Sequence, residues 1–175
     1  MSPINKYLAK LFFKTVVYST TMWIIIELLR DGRENLDLVG AIMFGFLFSL
    51  MMVATMFYNL EENYQKNLSE LVSDDLKMNQ KKSIKSKLTL YEVKSRILDS
   101  NFFKTKRISF RDDSLKFKKR YSAFTWGEHI AIKQAEFNTE EEYTYEISSK
   151  PIFRFQLFDS GMNYRNVQEL ERLIS

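Results

Sequence analysis

The chain contains no cysteine, one histidine, two prolines and five glycines among 175 residues. The missing cysteine removes a disulfide framework, a thiolate nucleophile, a cysteine-ligated zinc and any iron–sulfur cluster. One histidine leaves little for metal binding or acid–base work, and the glycines form neither a dinucleotide fingerprint nor a P-loop. Proline and glycine are too sparse, and hydrophobic residues at 45% too abundant, for a collagen-like or fully disordered chain. The length suits one globular domain plus an appendage rather than two independent cores.

The mean hydropathy of −0.28 hides an uneven distribution, because apolar residues crowd into the first third. Residues 38–60 (LVGAIMFGFLFSLMMVATMFYNL) run for 23 positions without a charge. At about 1.5 Å per helical residue this run crosses a hydrocarbon core of about 30 Å. Eleven of its residues are Leu, Ile, Phe or Val, which favours insertion by about 3–7 kcal/mol as an upper bound. A soluble core helix is the alternative, but a small domain has little room to bury 23 residues on every face.

Residues 11–29 (LFFKTVVYSTTMWIIIELL) have the right length for a second span but contain Lys14 and Glu27. Both lie about one turn from an end of the segment, so their heads are expected to reach water, with Trp23 and Tyr18 at the interfacial zones. A cleaved signal peptide is the competing reading. The run ends in Leu-Leu-Arg-Asp with no small-x-small site, so the segment is expected to be retained. Only residues 30–37 separate the two spans, which makes an antiparallel hairpin with both ends on one side. Lys6, Lys10 and Lys14 before it, and Lys66 and Lys77 after it, place both ends in the cytoplasm and make this a two-pass protein of the inner cell membrane. Ala41, Gly45 and Ser49 recur every four residues on the second span and form a close-packing seam. Its occupant is either the first span or a second copy of the chain.

Past Leu60, the helical spacing of Tyr64, Leu68, Leu71 and Val72 predicts a juxtamembrane stalk, followed by a basic linker, over residues 61–87. Charge then separates along the chain. Residues 1–76 carry 6 basic and 9 acidic groups, residues 77–120 carry 15 and 4, and residues 121–175 carry 5 and 9. The middle block contains Lys81, Lys82, Lys85, Lys87, Lys116, Lys118, Lys119 and Arg120, the residues expected to meet anionic lipid headgroups or an acidic protein partner. Each such group near a bilayer contributes about 1 kcal/mol, decaying over a Debye length of about 8–10 Å. A solvated basic face is the bland reading. Nucleic acid is not expected, since no RNP, helix-turn-helix or zinc-finger pattern is present.

In residues 88–175, Thr89 and Glu92 form a capping box that starts a short helix with Leu90, Val93 and Ile97 as its apolar stripe. After Phe103 the apolar period changes to two. Residues 107–118 read as a hairpin turning at Asp112 and Asp113, with further strands at 121–126, 128–133, 143–148 and 152–158. Asn163 is the expected cap of a terminal helix with Val167, Leu170, Leu173 and Ile174 on one face. The fold class is therefore α+β: a two-helix membrane hairpin (residues 1–60), then a small antiparallel sheet or partial barrel closed by a C-terminal helix.

That order resembles pleckstrin-homology-like domains, particularly the small bacterial versions attached behind two membrane spans. The likeness is carried by residues 109–121 (SFRDDSLKFKKRY), by Phe124, Trp126 and Glu128 leading to Ile130 and Ile132, and by Asp159, Gly161 and Asn163 before the last helix. The chain departs from the best-known lipid-binding members in lacking a clear basic phosphoinositide signature in its first strand pair. The resemblance implies a binding or scaffold module without catalysis or an obligatory cofactor. A ligand-sensing effector that oligomerises through the hairpin is the alternative.

The remaining residues give no chemistry a foothold. His129 and Glu128 are adjacent in a strand and point to opposite faces. Ser148 and Ser149 lack a nucleophile-elbow setting. Neither a metal site nor a catalytic set is predicted.

Overall fold

The computed structural model describes residues 2–31, 36–64, 71–105, 107–111, 113–120, 127–138, 142–153 and 161–175. The chain divides into two units, Met1–Ser73 and Asp74–Ser175.

The first unit is a pair of helices, α1 (Pro3–Asp31) and α2 (Leu38–Tyr64). Both are long and apolar enough to cross a membrane. Small and hydroxylated residues bring the two backbones together: Thr15 and Ser19 of α1 and Ala41 and Ser49 of α2 are buried. The Ser19 hydroxyl donates to the Thr15 carbonyl at 2.6 Å and reaches the Gly45 carbonyl at 3.3 Å, while Ser49 donates to Gly45 at 2.6 Å. A Cβ on Gly45 would collide with Thr20 Oγ1 and lie 3.1 Å from the Val16 carbonyl. Phe12 meets Phe46 edge-on at 5.4 Å, and Trp23 packs on Phe44 at 4.5 Å. Glu27 departs from expectation. Its carboxylate is buried, accepting the Trp23 indole N–H at 2.8 Å and the Asp37 backbone N–H at 3.1 Å, so it fastens the hairpin instead of reaching solvent.

The second unit is α+β. Five strands, β1 (Gln80–Ser86), β2 (Ser109–Arg111), β3 (Ser114–Lys119), β4 (Glu128–Asn138) and β5 (Glu142–Pro151), form one antiparallel sheet in the order β1-β5-β4-β3-β2. Among the described residues the sheet is open, with β1 and β2 at its edges. Helix α3 (Leu90–Asp99) begins at the expected capping box: the Thr89 N–H donates to Glu92 at 2.7 Å, and the Glu92 N–H donates back to Thr89 Oγ1 at 3.4 Å. The hairpin of β2 and β3 turns with Asp113 at φ 53°, a left-handed conformation that aspartate tolerates. Helix α4 (Met162–Ile174) closes the chain.

Alternation along the strands assigns each residue a face. The inner face carries Ile84, Leu115, Phe117, Ile130, Ile132, Tyr145 and Ile147, packed against Leu90, Val93 and Ile97 of α3 and Val167, Leu170 and Ile174 of α4. Tyr145 is fully buried and its hydroxyl donates to the Leu88 carbonyl at 2.6 Å.

Three expectations change. Residues 80–86 belong to the sheet, not to a linker, because Ile84 enters the core and Ser86 donates to the Ile174 carbonyl. The α4 cap is Gly161 at φ 84°, not Asn163, which is buried two residues further on, within the first turn. Strand β5 runs from Glu142 to Pro151, past the expected end at residue 148. The expected strand at 121–126 and most of that at 152–158 lie outside the described residues, and Ile152 and Phe153 follow β5 as a bend.

Candidate functional site

Strand pairing also fixes what the other face of the sheet displays. One row across it is Lys118 on β3, His129 on β4 and Lys150 on β5. The next is Ser109, Lys116, Ala131, Ser148 and Lys81, spanning all five strands. The third is Arg111, Ser114, Lys133, Glu146 and Ser83. Lys81, Lys116, Lys118, Lys133 and Lys150 are exposed. The helices cover only the inner face, so this outer face keeps small hydroxyl and methyl side chains at its middle and ammonium groups around them. Its carboxylates gather at one end: Glu146 stands opposite Lys133, and Glu142 pairs with Lys85 at 3.1 Å.

The basic residues expected to act as one patch are split by this geometry. Lys81, Lys85, Lys116 and Lys118 lie on the outer face, and Lys87 and Arg120 are exposed just beyond β1 and β3. Lys82 and Lys119 alternate to the helix side. Lys82 meets Glu171 of α4 at 2.7 Å. The Lys119 ammonium lies 3.4 Å from the Phe102 ring centroid and donates to Asn166 Oδ1 at 3.2 Å. Burial pulls its pKa down to about 8; Glu128, its cross-strand neighbour, opposes that shift and Arg165 reinforces it. Beside it, Asn166 donates to Ser149 Oγ at 3.0 Å and Ser149 donates to Asn163 Oδ1 at 2.7 Å. Lys119 therefore belongs to a polar string that fixes α4 on the sheet.

Lys133, Lys150 and Arg111 were missed as members of the basic face. Two of them lie outside the basic block in sequence, and only the strand register brings them into line with Lys116 and Lys118. His129 joins them. Partial burial, then Lys118 and Lys150, hold its pKa below the usual imidazole value. Glu128 lies on the opposite face and is buried, so the two do not form an acid–base pair. Ala41, Gly45 and Ser49 face α1. Among the described residues no group of three His, Asp or Glu side chains is placed to hold a metal ion. What the outer face can do is attract and hydrogen-bond anions through lysine ammonium groups and hydroxyls.

No family model, curated protein or solved structure matches the chain.

Proposed function

We propose that this is a non-enzymatic, two-pass membrane protein that holds a pleckstrin-homology-like domain at the cytoplasmic leaflet, where the outer face of the sheet binds anionic lipid headgroups. The observation that carries this reading is the outer face itself: Lys81, Lys116, Lys118, Lys133 and Lys150 surround Ala131 and Ser148, with no large apolar side chain in the three rows. Among the described residues this sheet face has no hydrophobic cover; such a face belongs in water or against a polar surface, and its charge favours an anionic one. Support for the anchor comes from the hairpin, where Val17, Met22, Leu29, Val39, Met43 and Leu47 are each more than half exposed. So broad an apolar surface is a solvent mismatch in water and a match in hydrocarbon. The positive-inside bias supports cytoplasmic ends.

Because the chain has no cysteine, single labels can be introduced cleanly. Full-length protein carrying Ser83→Cys on the outer face, or Ser95→Cys on α3, is spin-labelled in nanodiscs of phosphatidylcholine with or without phosphatidylglycerol. Anionic discs should immobilise the label at 83 and leave that at 95 free, and about 1 M salt, where the Debye length is about 3 Å, should reverse the effect. Equal mobility in both lipids would refute the lipid reading and leave an acidic protein as the occupant. Recovery of the detergent-free chain as a dispersed monomer would refute the anchor. The oligomerising alternative would have to use another face of the hairpin, because Gly45 packs against Val16 and Thr20 of α1.

A further inference from the structure

The positive charge of the outer face is concentrated at one end, where a structural detail goes beyond general attraction. In the row Lys118, His129, Lys150 and the row Lys116, Ala131, Ser148, Lys81, no position is acidic. Neighbouring strands lie about 4.8 Å apart, so Lys118 and Lys150 flank the imidazole at Cα positions about 10 Å from each other, with the second row about 7 Å further along the strands. Ala131 and Ser148 are short side chains of that second row beside His129, so no long chain stands between the lysines there and one hydroxyl is added. We propose that this stretch of the outer face, where Lys118, His129 and Lys150 stand beside the short side chains Ala131 and Ser148, seats the phosphate of an anionic phospholipid headgroup in a bilayer surface. The inference rests on the lipid reading of the outer face and sharpens it to one subsite.

Two further observations select a bilayer over other phosphate-bearing polymers. Ile152 and Phe153 leave β5 immediately beyond this row, tied to Gly127 by the Ile152 N–H at 3.0 Å, and they are 37% and 49% exposed. An apolar pair next to a lysine-walled phosphate site suits an interface where headgroups and acyl chains meet within a few ångströms. These two rows also hold no Phe, Tyr or Trp ring and no arginine, Arg111 standing in the third row, so they offer few of the stacking platforms and bidentate contacts that nucleic-acid binding uses.

Seating a phosphate has a consequence for His129. Partial burial comes first in disfavouring a proton on the ring, followed by the groups that face it, Lys118 on β3 and Lys150 on β5; Lys133 lies farther along its own strand. A phosphate between the two lysines cancels that repulsion and supplies an acceptor, so binding takes up a proton and strengthens as pH falls through the imidazole range.

His129 is the sole histidine, so its ring gives one unambiguous NMR signal in the full-length protein in nanodiscs. Replacing phosphatidylcholine with a phosphatidylglycerol mixture should raise its pKa by about one unit, a tenfold gain in proton affinity. In the double variant Lys118→Met, Lys150→Met the rise should fall to less than half. Inorganic phosphate added to phosphatidylcholine discs should reproduce little of it. An unchanged pKa overturns the subsite. So does an equal rise in the double variant, which marks bulk surface potential, or a full rise with inorganic phosphate, which marks a soluble ligand. An immobilised label at position 83 alongside a silent His129 overturns the subsite alone, whereas silence of both overturns the lipid reading with it.

Discussion

Trp23 and Glu27 lie one turn apart on α1, and the indole N–H donates to the carboxylate at 2.8 Å while the other carboxylate oxygen takes the Asp37 N–H at the start of α2. One buried side chain thus satisfies donors from both helices. Glu27→Ala leaves those donors without their acceptor and should lower hairpin stability by about 1–3 kcal/mol, with Glu27→Gln milder because it keeps an acceptor oxygen. Denaturant titration of the full chain in micelles measures both, and a silent Ala variant would disprove the fastening role.

Gly45→Ala tests the seam. The new methyl group meets Thr20 Oγ1 and comes within 3.1 Å of the Val16 carbonyl, which belongs to rigid backbone. The helices must separate, costing about 1–3 kcal/mol. Ala54→Leu, at an exposed position on the same helix, should change little in the same titration.

The pH dependence of the second unit follows from two groups. Lys119 titrates near 8 in the folded protein against 10.5 when unfolded, so between those values the unfolded chain binds more protons and stability rises with pH; below about 8 the cost of its buried charge is present in full. Burial pushes Tyr145 up to about 12 from 10.0, so above about 10 the unfolded chain loses protons first and stability falls. Thermal melts of the full-length protein should therefore improve from pH 8 to about 10 and decline beyond. Lys119→Met should abolish the improvement and keep the decline. A rise of the same size in that variant would remove Lys119 as its source.

Ser149→Ala removes the hydroxyl shared by Asn163 and Asn166, all three of them buried. About 1–3 kcal/mol should be lost, and hydrogen exchange in α4 should accelerate more than in α3. Uniform acceleration would mean that the string does not hold α4 in particular.

Local signals were the legible ones. Thr89 and Glu92 announce α3 because a capping box is complete within four residues, and the alternation at 107–118 announces a hairpin for the same reason. β1 was hidden because QKKSIKS has one large apolar residue: an edge strand needs only Ile84 on the core side, and its lysines resemble a linker while they discourage edge-to-edge pairing. Asn163 looked like a cap because capping is where asparagine usually serves; here Ser149, fourteen residues away, draws it into the interior. The split of the basic residues between faces depended on register, which no single strand encodes. His129 lies between two lysines only once β3, β4 and β5 are aligned.

β1 is also the strand nearest in sequence to the helical pair, and it sits at the rim of the sheet, joined to one neighbour. Load entering this unit from the preceding chain would meet the Asp74–Lys77 turn first, where the Gln80 side chain donates to the Asp74, Asp75 and Lys77 carbonyls, and only then the β1 ladder. The Lys82–Glu171 contact and the Ser86 hydroxyl, which donates to the Ile174 carbonyl, add to that ladder by tying β1 to α4, so a strand with one sheet neighbour is clasped by a helix as well.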